Sequence, residues 1–245
     1  MNALQSVMGD RPQPYIMAHR GNSELCPENT MPAFERALQD GCDIIETDLH
    51  VSADGVFMCI HDATLDRTTN GTGSVRHLTQ AQLQSLTASY NYADYPTAII
   101  PTLRSVLEML PSDVAITLEL KSDDFLKPDV CVALASLLED TGTANRAAIL
   151  SFSRERLHAI QKNTRLPVGL ITMYGLQPEA EWQMVGVYWP FMFLNPFYAR
   201  IANRRGQLVC PLDPTPDSRL WFYNLIGCTA VLTNNPARTR CKLGR

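Results

Sequence analysis

Three short β-rich runs of this 245-residue chain end in ionisable residues: His19-Arg20 after "YIMA", Glu46 and Asp48 within "DIIETDL", and Glu119 with Lys121 in "VAITLELK". Glu46 and Asp48 are two positions apart, so an extended backbone turns both carboxylates to the same face. On a run otherwise built from Ile44, Ile45 and Leu49, two adjacent carboxylates repel each other and are costly to desolvate unless a cation sits between them. Glu119 repeats the anomaly on a second apolar run. Three carboxylates at neighbouring strand ends make an all-oxygen donor set, suited to one Mg²⁺ or Ca²⁺ rather than to zinc. Carboxylates solvated at a rim are the competing reading, and it explains any one of them better than the set.

A histidine joins them through turn geometry. In "ETDLHVSADGVFMCIHD" the Ala53-Asp54-Gly55 turn sends the chain back antiparallel. Counting outward from Ser52 and Gly55 sets His61 opposite Glu46, and a one-pair shift sets it opposite Asp48. With His19 on the adjacent strand, two imidazoles then flank the cation and can divide general base and general acid duty in a displacement at phosphorus. Arg20 and Lys121 supply positive charge for phosphate oxygens, Arg as a bidentate fork and Lys as a point charge. His50, His77 and His158 read as packed or surface residues. The His61-Asp62 dipeptide also occurs in all-helical metal phosphohydrolases, but those need further His and Asp residues on helices, and His61 lies in a strand pattern.

The elements that must hold these residues alternate along the chain. Eight candidate strands lie at residues 15–18, 43–49, 114–120, 147–152, 167–172, 191–194, 207–211 and 229–233. Helical patterns separate most of them, such as "MPAFERALQDG", where Thr30 can cap the start and Gly41 the end, and "KPDVCVALASLLEDTG". Eight strand-helix repeats in a chain near the typical length of about 250 residues predict an α/β protein, a (β/α)8 TIM barrel, whose site lies at the C-terminal strand ends. Residues 51 to 102 are too many for one connection and one helix, and predict a small subdomain inserted after the second strand, with "LRSVLEML" (103–110) completing that unit. The chain reads as one domain, 1–245, carrying this insertion.

Composition removes other classes. The net charge is −4 with Lys and Arg scattered, which argues against a nucleic-acid surface. No basic, apolar leader opens the chain, and the most apolar run, "VGVYWPFMFLNPF", falls short of the ~20 residues that span a bilayer. A cytoplasmic location is therefore expected, without stable membrane insertion. Seven cysteines with no C-x-x-C pair argue against a disulfide framework and a zinc site. Nothing in the sequence specifies an oligomeric state.

Five motifs in this order, "AHRG", "PENT", "ETD", "HDATLDRTTNGTG" and "LELK", resemble the glycerophosphodiester phosphodiesterase family, and the match is traceable to "VLTNNP" near the C-terminus. The resemblance implies a small-molecule glycerophosphodiester substrate, hydrolysed to sn-glycerol 3-phosphate and an alcohol with one divalent cation, Mg²⁺ or Ca²⁺. On matching positions it implies Glu46, Asp48 and Glu119 as metal ligands, His19 and His61 as the acid-base pair, and Arg20 as a phosphate ligand with Lys121 close by. Glu28 of "PENT" would orient Arg20 or contact the site, unless it is simply a carboxylate near a helix start. Two alternatives use the same barrel: a lysophospholipase D with an apolar entrance, and a catalytically silent binding module. The chain departs from the family at "VCPLDPTP" (209–216), where Pro211 stands in place of a usual tryptophan; Trp189 or Phe191 is the candidate substitute for that apolar wall.

Overall fold

Side chains on the strands divide between two environments. On β1 (Tyr15–His19), Tyr15 and Met17 join an inner cluster with Ile44, Ala115, Leu150, Met184 and Leu232, while Ile16 and Ala18 join an outer one with Ile45, Ile116, Ile149, Val185 and Val231. The computed structural model describes residues 8–89 and 92–245. Its further strands are β2 (Ile44–Val51), β3 (Phe57–Cys59), β4 (Ala115–Leu120), β5 (Ala147–Ser151), β6 (Val168–Thr172), β7 (Met184–Val187), β8 (Leu208–Val209) and β9 (Ala230–Thr233). Eight run parallel in the order β8-β7-β6-β5-β4-β2-β1-β9, and β3 pairs antiparallel with β2. The Thr229 N–H donates to the Val209 carbonyl at 3.0 Å across the seam between β8 and β9, so the parallel strands curl into a nearly closed barrel. The inner cluster fills that barrel, and a core filled by alternate side chains is what a barrel of this size requires.

The outer cluster lies under the helices. These include α1 (Met31–Gln39), α2 (Gln80–Gln84), α3 (Leu103–Met109), α4 (Pro128–Asp140) and α5 (Arg154–Asn163). The later ones are α6 (Pro190–Leu194), α7 (Tyr198–Arg204), α8 (Leu220–Ile226) and α9 (Pro236–Lys242). Phe34 and Ala37 of α1, Leu134 and Leu138 of α4, and Leu157 and Ile160 of α5 are buried there, at helical spacing. Thr30 stands at the N-cap of α1 as expected, but its hydroxyl donates to the Pro27 carbonyl instead of capping an amide. Gly41 follows α1 with φ +77°, and its N–H donates to the Leu38 carbonyl. Among the described residues no helix is long and apolar enough to cross a membrane.

The strand expected at 191–194 is instead helix α6, and the strand of that unit is β7. Pro190 at the first helical turn presets φ for a helix, and Gly186 hides the strand from an apolar pattern. That glycine is required by close approach, since a Cβ there would lie 2.6 Å from the Cys210 carbonyl oxygen. The expected strand at 207–211 is shorter, with only Leu208 and Val209 in ladder geometry.

Between β2 and α3 the chain builds a separate apolar cluster from Met58, Ile60, Leu65, Val75, Leu83, Ala88 and Ile100. Residues 90 and 91 of the expected insertion lie outside the described residues. The β2–β3 hairpin pairs Leu49 with Cys59 and Val51 with Phe57, which corrects both expected registers for His61. The reason is the loop: the Ser52 N–H donates to the Val56 carbonyl, leaving three loop residues, Ala53 to Gly55, with Gly55 at φ +81°. The Ile60 N–H donates to the Asp48 carbonyl at 3.0 Å, so His61 is carried just beyond the end of the pairing.

Candidate active site

Strand register assembles the site. His19 lies beside Glu46 across β1 and β2, and Asp48 beside Glu119 across β2 and β4. These positions continue the inward face of Met17, Ile44 and Ala115 toward the C-terminal mouth of the barrel. One oxygen from each of Glu46, Asp48 and Glu119 lies within 4.8 Å of the others, and all three residues are buried. Lys121 Nζ donates to Glu119 Oε1 at 2.5 Å and stands 3.1 Å from Asp48 Oδ1. Arg20 Nε lies 3.1 Å from Asp48 Oδ2, and Arg20 Nη1 donates to Glu28 Oε1 at 2.9 Å. Asp48 Oδ1 is ion-paired with Lys121 but accepts no hydrogen bond. A buried carboxylate oxygen that accepts no hydrogen bond, clustered with two further carboxylates, fits a hard divalent cation.

Burial, followed by the charges of Asp48 and Glu119, pushes the Glu46 carboxyl well above the usual range. Burial raises Glu119 as well. Asp48 is also penalised by burial, but Lys121 and Arg20 overcome this and hold it below the usual range. Without a cation the Glu46 carboxyl is thus biased toward its protonated form, and a cation held by the cluster would favour its ionisation. Adding Mg²⁺ or Ca²⁺ to metal-stripped protein in weak buffer is expected to release protons, with affinity falling as pH falls. Titration calorimetry in buffers of different ionisation enthalpy measures this; binding with no proton released would contradict it.

The "HRGN" and "PENT" segments owe their form to backbone geometry. Arg20 sits in the left-handed region at φ +57°, where its N–H donates to both Glu46 O and Glu46 Oε2 at 3.0 Å. A non-glycine residue there costs about 1–2 kcal/mol, which the surrounding bonds must offset. Gly21 follows at φ +80°, and a Cβ on it would lie 2.5 Å from the Ala33 carbonyl carbon of α1. Asn29, also left-handed at φ +56°, donates from Nδ2 to Asp48 Oδ2 at 2.8 Å and accepts from Thr47 Oγ1 at 2.7 Å.

Each candidate catalytic histidine has a partner on Nδ1. His19 Nδ1 lies 2.7 Å from Asn234 Oδ1, and His61 Nδ1 lies 2.6 Å from Asp62 Oδ1. Both partners only accept, which assigns the proton to Nδ1 and leaves Nε2 free to exchange protons. Burial, reinforced by Arg20, lowers His19 to about 4, so its ring is neutral near pH 7. The Arg67 guanidinium, helped by His61, lowers Asp62 to about 2 and keeps it ionised. His50 Nε2 stands 3.1 Å from the His61 carbonyl, a packed histidine as read.

All eight expected site residues converge on this mouth, either in the carboxylate cluster or through direct contact and charge: His61 bears on Asp48, and Glu28 binds Arg20. Sequence reasoning missed Asn29, Asp62, Arg67 and Asn234. Asn29 and Asp62 adjoin residues already singled out, and Arg67 lies six positions beyond His61, yet no periodic pattern marks them. A cavity lined by His19, Glu46 and Glu119 is otherwise walled by apolar groups that include Leu150, Leu170, Met184, Pro211 and Leu212. Trp189 and Phe191 do not line it, which corrects their expected part: Trp189 stacks on the Arg219 guanidinium at 4.4 Å, and Phe191 packs edge-on against Tyr174.

Comparison with known proteins agrees. Residues 19–237 match the model of the glycerophosphoryl diester phosphodiesterase family. A glycerophosphodiester phosphodiesterase of Caldanaerobacter subterraneus is 35% identical over 233 residues, covering 90% of this chain and 94% of that protein. One from Bacillus subtilis is 32% identical over 246 residues, covering 90% and 83%. Among solved structures, the glycerophosphodiester phosphodiesterase of Agrobacterium tumefaciens superposes with a TM-score of 0.81 at 27% identity, covering 94% of this chain and all of that one. With its carboxylate cluster and paired histidines at the mouth of such a barrel, the chain belongs to the glycerophosphoryl diester phosphodiesterase family and is a phosphoric diester hydrolase.

Proposed function

We propose that the protein hydrolyses glycerophosphodiesters to sn-glycerol 3-phosphate and an alcohol with one Mg²⁺ or Ca²⁺ held by Glu46, Asp48 and Glu119. The observation that carries this reading is the buried three-carboxylate cluster flanked by Arg20 and Lys121, in which Asp48 Oδ1 accepts no hydrogen bond. The bound cation would neutralise phosphoryl oxygens and acidify the attacking hydroxyl. Arg20 and Lys121 hold the phosphate, and Glu28 orients Arg20. His19, neutral with Nε2 free, takes the proton of the attacking hydroxyl as its oxygen bonds to phosphorus. His61, acting as an imidazolium whose Nδ1–H is held by Asp62, gives its Nε2 proton to the alcohol oxygen as the P–O bond breaks and is left as the neutral Nδ1–H ring. The whole chain acts as one domain, with the insertion supplying His61, and works in the cytoplasm, in keeping with six buried free cysteines.

Phosphorus NMR of glycerophosphocholine or glycerophosphoethanolamine turnover tests the reading. The expected product is sn-glycerol 3-phosphate; a transient cyclic phosphate would mark first attack by a glycerol hydroxyl. An unchanged substrate signal would contradict the reading. A second reading, lysophospholipase D, is favoured by apolar side chains exposed around the mouth: Phe152 after β5, Tyr174 (79% exposed) after β6 and Leu194 (71%) after β7. It predicts faster turnover of lysophosphatidylcholine than of glycerophosphocholine in the same assay.

A further inference from the structure

Arg67 lies in the inserted segment with its side chain 47% exposed, yet four of its N–H···O contacts go to two carboxylates. Nη1 and Nη2 donate to Glu28 Oε2 and Oε1 at 2.9 and 2.7 Å, a bidentate pair. Nε donates to Asp62 Oδ2 at 2.6 Å, and Nη2 reaches Asp62 Oδ1 at 3.3 Å. Each carboxylate has a second partner in the site. Glu28 Oε1 also accepts from Arg20 Nη1 at 2.9 Å, and Asp62 Oδ1 lies 2.6 Å from His61 Nδ1. A continuous chain therefore runs Arg20, Glu28, Arg67, Asp62, His61, from the phosphate-holding guanidinium to the proton-handling imidazole.

We propose that Arg67 is a positioning residue that couples His61 to Arg20 through Asp62 and Glu28, resting on the roles assigned to those two residues above. Its donors are almost all engaged, so it has little left with which to grip substrate. Only a planar fork can chelate two carboxylates at once along different edges, and a lysine at this place would satisfy one of them poorly. Exposed ion pairs contribute little to stability on average, so the geometry points to orientation of the site as the larger effect. The two ends differ in what they lose without Arg67. Arg20 keeps Asp48, Glu28 and its backbone bonds to Glu46, whereas His61 keeps an Asp62 whose own anchor has gone.

The test uses the full-length protein with glycerophosphocholine and saturating Mg²⁺ or Ca²⁺. Arg67→Ala is expected to lower kcat about 100-fold and to raise KM less than about fivefold. Millimolar guanidinium chloride, well below denaturing concentration, should restore activity at least tenfold in Arg67→Ala and not in Arg67→Lys. Combining Arg67→Ala with Asp62→Asn should be no worse than the poorer single variant within about threefold, because both break one chain. Arg104→Ala, on an exposed pair with Glu108, serves as the unaffected control. Nitrogen NMR of labelled histidine should show His61 protonated on Nδ1 in the wild type and in mixed tautomers in Arg67→Ala, and this readout needs no turnover. A wild type that hydrolyses no diester would overturn the functional reading while the tautomer still decides the coupling. Arg67→Ala with kcat within threefold of wild type, or with the His61 tautomer unchanged, overturns the proposal. So would a loss of activity that only follows loss of folded protein and does not respond to guanidinium.

Discussion

Asp48→Asn is expected to lower kcat/KM by about 10³-fold or more at any metal concentration that leaves the protein soluble, as loss of several kcal/mol of charge stabilisation requires. The substitution keeps the shape of the side chain and removes its charge. Of the three clustered carboxylates, Asp48 is the one whose ionised form is favoured over the ordinary carboxylate, since Lys121 and Arg20 outweigh its burial. It is also fully buried, and Asn29 fixes it from behind. Its loss would weaken the cation site and leave Arg20 and Lys121 facing an uncharged amide. Removing one partner of a buried charge pair typically costs about 3–5 kcal/mol, so a lower melting temperature should accompany the loss. Steady-state kinetics beside thermal unfolding separate the two effects; near-normal turnover in a folded variant would remove Asp48 from the ligand set.

His19→Gln should lower kcat by about 10²–10⁴-fold with KM little changed, the loss typical of a positioned general base. The pH profile adds a sharper check. A base must be unprotonated, and burial with Arg20 has moved His19 from the ordinary 6.5 down to about 4. As pH falls below 6.5 the ring therefore stays neutral, and its acid limb in kcat/KM should lie near pH 4. The same shift bears on stability: below 6.5 the unfolded chain takes up a proton that the native ring refuses, so stability is lost as pH falls from 6.5 toward 4. An acid limb near 6.5 that vanishes in His19→Gln would show that the ring is solvated during turnover.

The carboxylate cluster was legible because charges on apolar strands violate burial rules, and period-two alternation decides which of them share a face. Glu46 and Asp48 needed nothing more than that. The β2–β3 register was misread because hairpin register depends on whether the loop has two or three residues, a choice made by the φ of Gly55 and not by the apolar pattern. The strand β7 was hidden for a related reason. Its Gly186 is there to let two backbones meet, so it carries no apolar signal, whereas "FMFL" forms a short helix in which Met192 is buried and Phe193 and Leu194 are exposed. Arg67 and Asn234 escaped notice because they act through side-chain contacts between segments that approach only in the folded chain, across 39 residues from Arg67 to Glu28 and 215 from Asn234 to His19. Asn29 was similarly hidden, its partner Asp48 lying on the next strand.

The central claim is that Glu46, Asp48 and Glu119 act as one cation site for phosphodiester hydrolysis. Its most direct test strips the protein with EDTA, removes the chelator, and follows sn-glycerol 3-phosphate release from glycerophosphocholine while Mg²⁺ or Ca²⁺ is added back. The account predicts activity lost on stripping and restored along a single-site saturation curve. Undiminished hydrolysis by protein shown by elemental analysis to be free of metal would contradict it.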